Sequence, residues 1–219
     1  MLTYKQVTNS EAIKTYITRA DESLAALGFT EHSFSHVVHV AEKAGYILST
    51  MGYDERTVEL AKIAGYLHDI GNLVNRKDHS QSGAVMAWSI LNDMQCDPGE
   101  MATIVTAIGN HDEGTGVPVN AVAAALILAD KADVRWTRVR NQDFSTFDIH
   151  DRVNYSVKKS SLTISEDKTL VTLELTIDNQ FGSVMDYFEI FMGRMLLCRK
   201  AAEKLGLKFK LIINDQPLI

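Results

Sequence analysis

The chain has 219 residues, 46% of them hydrophobic and 23% charged, with a formal net charge of -6; it is long enough for one sizeable core, alone or with a small appendage. The acidic balance argues against wholesale binding of duplex nucleic acid, which relies on Lys and Arg to neutralise phosphates, but not against a phosphate-bearing small molecule held through cations. Cys96 and Cys198 lack metal-type spacing, which argues against a disulfide framework; with no basic-then-apolar leader and no apolar run of about 18 residues, the expectation is a cytoplasmic protein without a membrane span.

In chain order, Asn9 or Ser10 precedes a helix whose Ile13, Tyr16, Ile17, Leu24 and Leu27 recur at helical spacing, and Gly28 ends it. A second helix is predicted from near Thr30 to Met51, with His36 at its head and Val40, Ala44, Ile47 and Met51 on one face. Asp54 is the natural N-cap of a third, whose stripe of Val58, Ala61, Ala64 and Leu67 leads to His68-Asp69, with Gly71 as its stop and a polar connection from Asn72 to Asp78. Ser80 or Ser82 is expected to cap a fourth helix, and Asp97-Pro98 opens a fifth that ends at Gly109, just before Asn110-His111. The nearly continuous apolar run from Ala121 to Val134, interrupted by Asp130, predicts a central helix buried on most sides.

Composition changes near residue 140. Leu162 and Ile164, then Val171, Leu173, Leu175 and Ile177, alternate with polar residues around Glu166-Asp167-Lys168, as a hairpin requires. A helix from about Ser183 to Leu205 and a last strand through Phe209, Leu211 and Ile213 complete a β-β-α-β unit. The expected architecture is therefore mainly α: a helical domain over residues 1–142 followed by a small α+β unit over 143–219. The stripe of Phe188, Phe191, Met192 and Met195 reads as core, and the hairpin offers a sheet edge for pairing two copies of the chain as a homodimer.

Six side chains stand out because most lie at predicted helix ends, where several helices can aim into one cavity: His36, His68, Asp69, His79, His111 and Asp130. A carboxylate inside Leu126-Ile127-Leu128-Ala129-Asp130 is costly to bury without a partner. A divalent cation would serve, and so would an ion pair with a lysine or with the arginines of segment 135–140. His32, His39 and His150 read as solvated or hydrogen-bonded imidazoles.

The order His36, His68-Asp69, Asp130, with flanks His36-Val37-Val38-His39-Val40 and Ala64-Gly65-Tyr66-Leu67-His68-Asp69-Ile70-Gly71, resembles the HD-domain superfamily of metal-dependent phosphohydrolases over roughly residues 30–140. His79 and His111 resemble the further ligands of two-metal members. The resemblance implies an HD-fold helical bundle with one divalent metal on His36, His68, Asp69 and Asp130, and Asp69 bridging to a second on His79 and His111. The ion is Mn, Fe, Ni, Co, Zn or Mg, and imidazole with carboxylate favours a transition metal. It further implies a hydroxide on one or two of these ions attacking a phosphoester or phosphoanhydride of a nucleotide-like substrate, with Asp69 and His68 central to catalysis. Where many members carry lysine after the His-Asp-x-Gly motif, this chain has Asn72; Asn72, Arg76, Lys77 and Lys131 are the candidate substrate contacts, although solvated basic side chains read equally well for the last three. Gly114-Thr115-Gly116-Val117-Pro118 is similar to the glycine-rich signature of HD-GYP phosphodiesterases, with Asn110 and Val117 as departures. His79-x-x-x-Gly83-Ala84 is similar to HD-type dinucleoside polyphosphate hydrolases. Two other classes fit the same ligands: a nucleotide-sensing regulatory protein with little turnover, and a two-iron oxygenase.

Overall fold

The computed structural model describes residues 1–218. Nine α-helices precede and interleave with four short strands among those residues. They are α1 (Tyr4–Asn9), α2 (Glu11–Ala26), α3 (Phe34–Met51), α4 (Glu55–Leu67), α5 (His79–Asp93), α6 (Pro98–Gly109), α7 (Ala121–Lys131), α8 (Ile149–Ser156), β1 (Val157–Ile164), β2 (Leu170–Ile177), α9 (Val184–Lys204), β3 (Lys208–Ile213) and β4 (Gln216–Pro217). The mainly helical class with a small C-terminal sheet is as expected.

Helix α7 is the centre of the bundle. Asn120 starts it by accepting the N–H of Ala123 on its side-chain oxygen (2.8 Å), and every residue from Val122 to Ala129 is buried. It packs against α3, α4, α6 and α9, so its apolar character all round matches neighbours all round. Asp54 caps α4 and Asp97, with Pro98 behind it, caps α6, as the sequence predicts.

Several boundaries differ from expectation for identifiable reasons. Helix α3 starts at Phe34, not near Thr30, because Glu31 donates its N–H to the carbonyl of Arg138 (2.8 Å) and His32 donates its own to the Asp21 carboxylate (2.8 Å). Those bonds hold residues 31–32 out of the helix, and Ser33 becomes the cap. Ser80 and Ser82 do not cap α5; both lie inside it, and the chain enters through Asp78 in the left-handed region at φ 58°. Two short helices, α1 and α8, have too few residues for a periodic signal. α1 is instead fixed by a capping box between Thr3 and Gln6.

Gly71 has a different role from the helix stop assigned to it. Helix α4 ends at Leu67, and Gly71 sits within a 3-10 turn, Ile70–Leu73, without a positive φ. What it provides is closeness: a Cβ there would overlap the backbone oxygen of His79 and the backbone nitrogen of Gly83. The glycine thus lets α5 dock directly on the His68-Asp69 corner.

In the C-terminal unit the sheet order is β1-β2-β3-β4. β1 and β2 form the expected antiparallel hairpin, and β2 and β3 are parallel, joined by α9 as the crossover. The sheet edges are therefore β1 and β4. Of the α9 stripe, Phe191 and Met195 are buried and Phe188 packs partly against the core, as expected, but Met192 is exposed, which corrects its assignment to the core.

Gly71→Ala should destabilise the protein by about 3 kcal/mol or more, since backbone atoms must move to accept the methyl group. Gly206→Ala, at φ 76° with nothing near the added carbon, should cost only about 1 kcal/mol. Thermal melts of the two variants beside the parent chain check the contrast, and equal losses would disprove the docking role of Gly71.

Candidate metal centre and its cavity

Four buried imidazoles meet at the junction of α3, α4, α5 and α6. His36 lies in the first turn of α3, His68 caps the end of α4, His79 is the first residue of α5 and His111 follows α6. Each is fixed through Nδ1. His36 donates Nδ1–H to the Asp133 carboxylate (2.7 Å). His68 donates to the carbonyl of Gly65 (2.7 Å), His79 to that of Arg76 (3.1 Å) and His111 to that of Ile108 (2.7 Å). The last three acceptors stand three residues before the histidine, and those of Gly65 and Ile108 are carbonyls in the last turn of a helix. With each Nδ1 tied, the four Nε2 atoms converge; although burial opposes it, Asp69 and Asp130 raise the imidazoles of His36 and His68, the latter to about 10, so that pair carries a proton in the metal's place.

The Nε2 atoms of His36 and His68 are 3.2 Å apart, as are those of His79 and His111. Asp69 Oδ2 lies 3.4 Å from His36 Nε2 and 3.3 Å from His68 Nε2, while its Oδ1 lies 3.5 Å from His79 Nε2. Asp130 Oδ1 completes the first set at 3.5 Å from His36 and 3.7 Å from His68. Ligands bound at about 2.0–2.2 Å to one transition-metal ion are themselves separated by about 3.0–3.5 Å, so these separations suit the edges of a coordination polyhedron. Two overlapping groups, His36-His68-Asp130 and His68-Asp69-His111, have all donor atoms within 4.8 Å of one another. Asp69 turns one oxygen toward each side. The donor set of imidazole and carboxylate fits Mn, Fe, Co, Ni or Zn.

Charge follows the same geometry. Burial works to raise the Asp69 and Asp130 carboxyls, but His68 beside the first and Lys131 beside the second hold both well below the usual carboxylate range. Burial, with His68 and His79 nearby, pushes His111 well below the ordinary imidazole value, so it stays neutral and keeps its lone pair.

The structure sorts the candidate substrate contacts. Asn72 is buried behind Asp69, donating its side-chain N–H to Asp69 Oδ1 (2.9 Å) and to the Asp69 carbonyl (2.9 Å). It orients a candidate ligand and does not line the cavity. Lys77 is exposed and lies outside the cavity. Arg76 and Lys131 do line it, a space of about 340 Å³ that opens onto Asp69, His79, His111 and Asp130.

Other residues enter that were not singled out. Asp133, three positions after Asp130, anchors His36 and is flanked by Arg135 Nε (2.8 Å) and Arg138; its spacing in Asp130-Lys131-Ala132-Asp133 and the arginines after it are the local signals that point to it. Glu113 and Arg194 pair across 81 residues of sequence, Nε to Oε1 at 2.8 Å, with no local pattern to reveal them. His32, read as a hydrogen-bonded imidazole, is one, through Nδ1 to Thr30 O (2.6 Å), and also faces the cavity. The C-terminal unit supplies a wall: Asp148, His150, Asp151 and Asn154 from around α8, and Phe191 and Arg194 from α9.

Asp133→Asn should lower metal affinity about 10- to 100-fold by releasing the His36 tautomer. Metal titration of the folded variant checks this, with far-UV dichroism confirming that the helices persist.

The HD domain family profile matches residues 33–135. An uncharacterized protein of Methanocaldococcus jannaschii is 22% identical over 202 residues, 82% of this chain and 77% of that one. Ribonuclease Y 1 of Pediococcus pentosaceus is 32% identical and ribonuclease Y of Sulfurimonas denitrificans 33%, each over 104 residues; the match covers 46% of this chain and only 18% of either relative. Among solved structures, a predicted HD superfamily hydrolase from an uncultured Thermotogales bacterium is 28% identical, with a TM-score of 0.45 and coverage of 57% of this chain and 67% of that one. His36, His68, Asp69 and Asp130 all fall inside the profile match, and residues 33–135 of the chain are an HD domain.

Proposed function

We propose that the chain is a metal-dependent phosphohydrolase that cleaves a phosphoester or phosphoanhydride bond of a nucleotide-like small molecule. The observation that carries this reading is the convergence of four tethered imidazoles and two carboxylates, of which His79, His111, Asp69 and Asp130 face a cavity whose walls bear Arg76, Lys131, Arg138 and Arg194. Ligands for hard and borderline cations below and cations above are what a phosphate anion needs. The ribonuclease Y relatives, matched over 104 residues, support hydrolysis at phosphorus.

In this reading His36, His68, Asp69 and Asp130 hold one divalent cation, and Asp69, with His79 and His111, holds a second. Such cations supply Lewis acidity, lowering the pKa of a bound water and offsetting charge that develops on phosphoryl oxygens. The chain's own contribution is positional. Asn72 holds the Asp69 carboxylate in plane; Asp133 and three backbone carbonyls keep the imidazoles from turning. The Arg76 guanidinium, donating to Asn72 Oδ1 (3.3 Å), lies over the ring of Phe29, and both residues line the cavity. A nucleobase stacked on the half-exposed Phe29 would leave its phosphate beside Arg76. A volume of about 340 Å³ lies within the range of small-molecule sites.

Elemental analysis should find about two metals per chain in the parent protein and about one in His79→Ala and in His111→Ala, while Asp69→Ala holds none firmly. Turnover of bis(p-nitrophenyl) phosphate and of nucleotides should need the metal, vanish with a chelator and return on adding Mn. Metal-loaded protein that binds nucleotides without hydrolysing any phosphate ester would replace catalysis by sensing. Oxygen uptake without phosphate release would replace it by oxygenation.

A further inference from the structure

Four cations line the cavity, and two of them have their charge taken up within the fold. Lys131 is buried between the carboxylates of Asp130 (2.8 Å) and Glu113 (2.7 Å). Arg138 donates from Nε to the carbonyl of Glu31 (2.8 Å) and from Nη1 to that of Asp133 (2.6 Å), and faces the Asp133 carboxylate (3.7 Å). Arg194 shares the Glu113 carboxylate with Lys131, so two cations divide one negative charge, and Arg76 has no carboxylate partner among the described residues.

Arg194 is the better organised of the two. Its Nε–H is held by Glu113, which fixes the plane of the guanidinium, and the ring of Phe191 covers one face at 4.2 Å. Neither Nη atom donates to a protein acceptor among the described residues, and neither is a buried unsatisfied group. The end-on fork of the guanidinium is therefore open to the cavity, and it is the edge that matches two oxygens of a phosphate. Charge points the same way. Asp130, Lys131, Glu113 and Arg194 alternate in sign along one line of contacts from the metal ligands to α9. Once a cation has taken up the Asp130 charge, Lys131, Glu113 and Arg194 keep one net positive charge, and Arg194 is the member with free donors.

We propose that Arg194, from the C-terminal unit, is a specificity-determining residue for a substrate with two linked phosphoryl groups: one rests at the metal ligands and the next is received by the Arg194 fork. The proposal rests on the phosphohydrolase reading for the class of ligand, and narrows it to phosphoanhydrides such as nucleoside diphosphates. It also gives the C-terminal α+β unit a role in substrate choice. Arg194 is a binding residue in this scheme and takes no part in moving protons.

The test measures binding separately from turnover. Mn-loaded full-length protein, the parent and Arg194→Gln, is titrated calorimetrically with ADP and with inorganic phosphate, and metal content is measured in both. Loss of the fork should weaken ADP about tenfold or more, with phosphate affinity and metal content within about twofold of the parent. Arg194→Lys, which keeps the pairing with Glu113 and so protects folding, should fall between them, because an ammonium cannot grip two oxygens side by side. An ADP affinity unchanged in Arg194→Gln, or ADP and phosphate weakened alike, would overturn the proposal and leave Arg194 as a structural partner of Glu113. If the parent protein binds ADP through Arg194 yet hydrolyses no phosphate ester, the catalytic reading fails while this one stands.

Discussion

The constraint on which everything else depends is that several buried imidazole nitrogens are made to face one another. Imidazole Nε2 atoms 3.2 Å apart repel unless a positive charge lies between them, and the rings cannot turn away because each Nδ1 is tied elsewhere. The tethers belong to secondary structure. Gly65 and Ile108 offer carbonyls from the last turns of their helices, so a histidine three residues on is gripped by the helix end that precedes it. Helix termini, usually sites of fraying, become here the rigid parts of the centre. That rigidity extends outward through Gly71, whose missing side chain lets α5 approach the same corner.

Much of this was legible in the sequence, and what was not has a common cause. The helix cores of α3, α4, α6 and α7 follow from periodicity, and the placement of His36, His68-Asp69, His111 and Asp130 at or near their ends follows from glycine, aspartate and proline punctuation. The hairpin of β1 and β2 follows from alternation. Hidden from such reasoning were contacts between distant segments. His36 with Asp133 spans 97 residues and Glu113 with Arg194 spans 81; the arginines after Asp133 mark that residue but not its partner, and nothing local marks Glu113 or Arg194. The start of α3 was misplaced for the same reason, since the carbonyl of Arg138 and the carboxylate of Asp21 decide where residues 31–32 go. Lys77 shows the opposite failing: closeness in sequence to His79 suggested a role that its exposed position does not support.

Asp130 illustrates how two readings of one residue can both hold. A buried carboxylate needs compensation from a metal or from a basic neighbour, and the structure offers it Lys131 at 2.8 Å together with the imidazoles of His36 and His68. The two oxygens divide the work, Oδ1 toward the imidazoles and Oδ2 toward the lysine. Through that lysine the centre is joined to Glu113 and then to α9. The C-terminal unit is thus bonded to the bundle by charge as well as by the packing of α9 on α7.

The crossover connection between β2 and β3 gives α9 a mechanical character. Its first residue, Val184, follows the loop that leaves β2, and its last, Lys204, is followed within four residues by the start of β3, so both ends are anchored in the same sheet. Arg194 is the eleventh of twenty-one helical residues. Fraying is confined to the terminal turns of a helix, and Arg194, ten residues from either end, sits on the part of α9 that opens last.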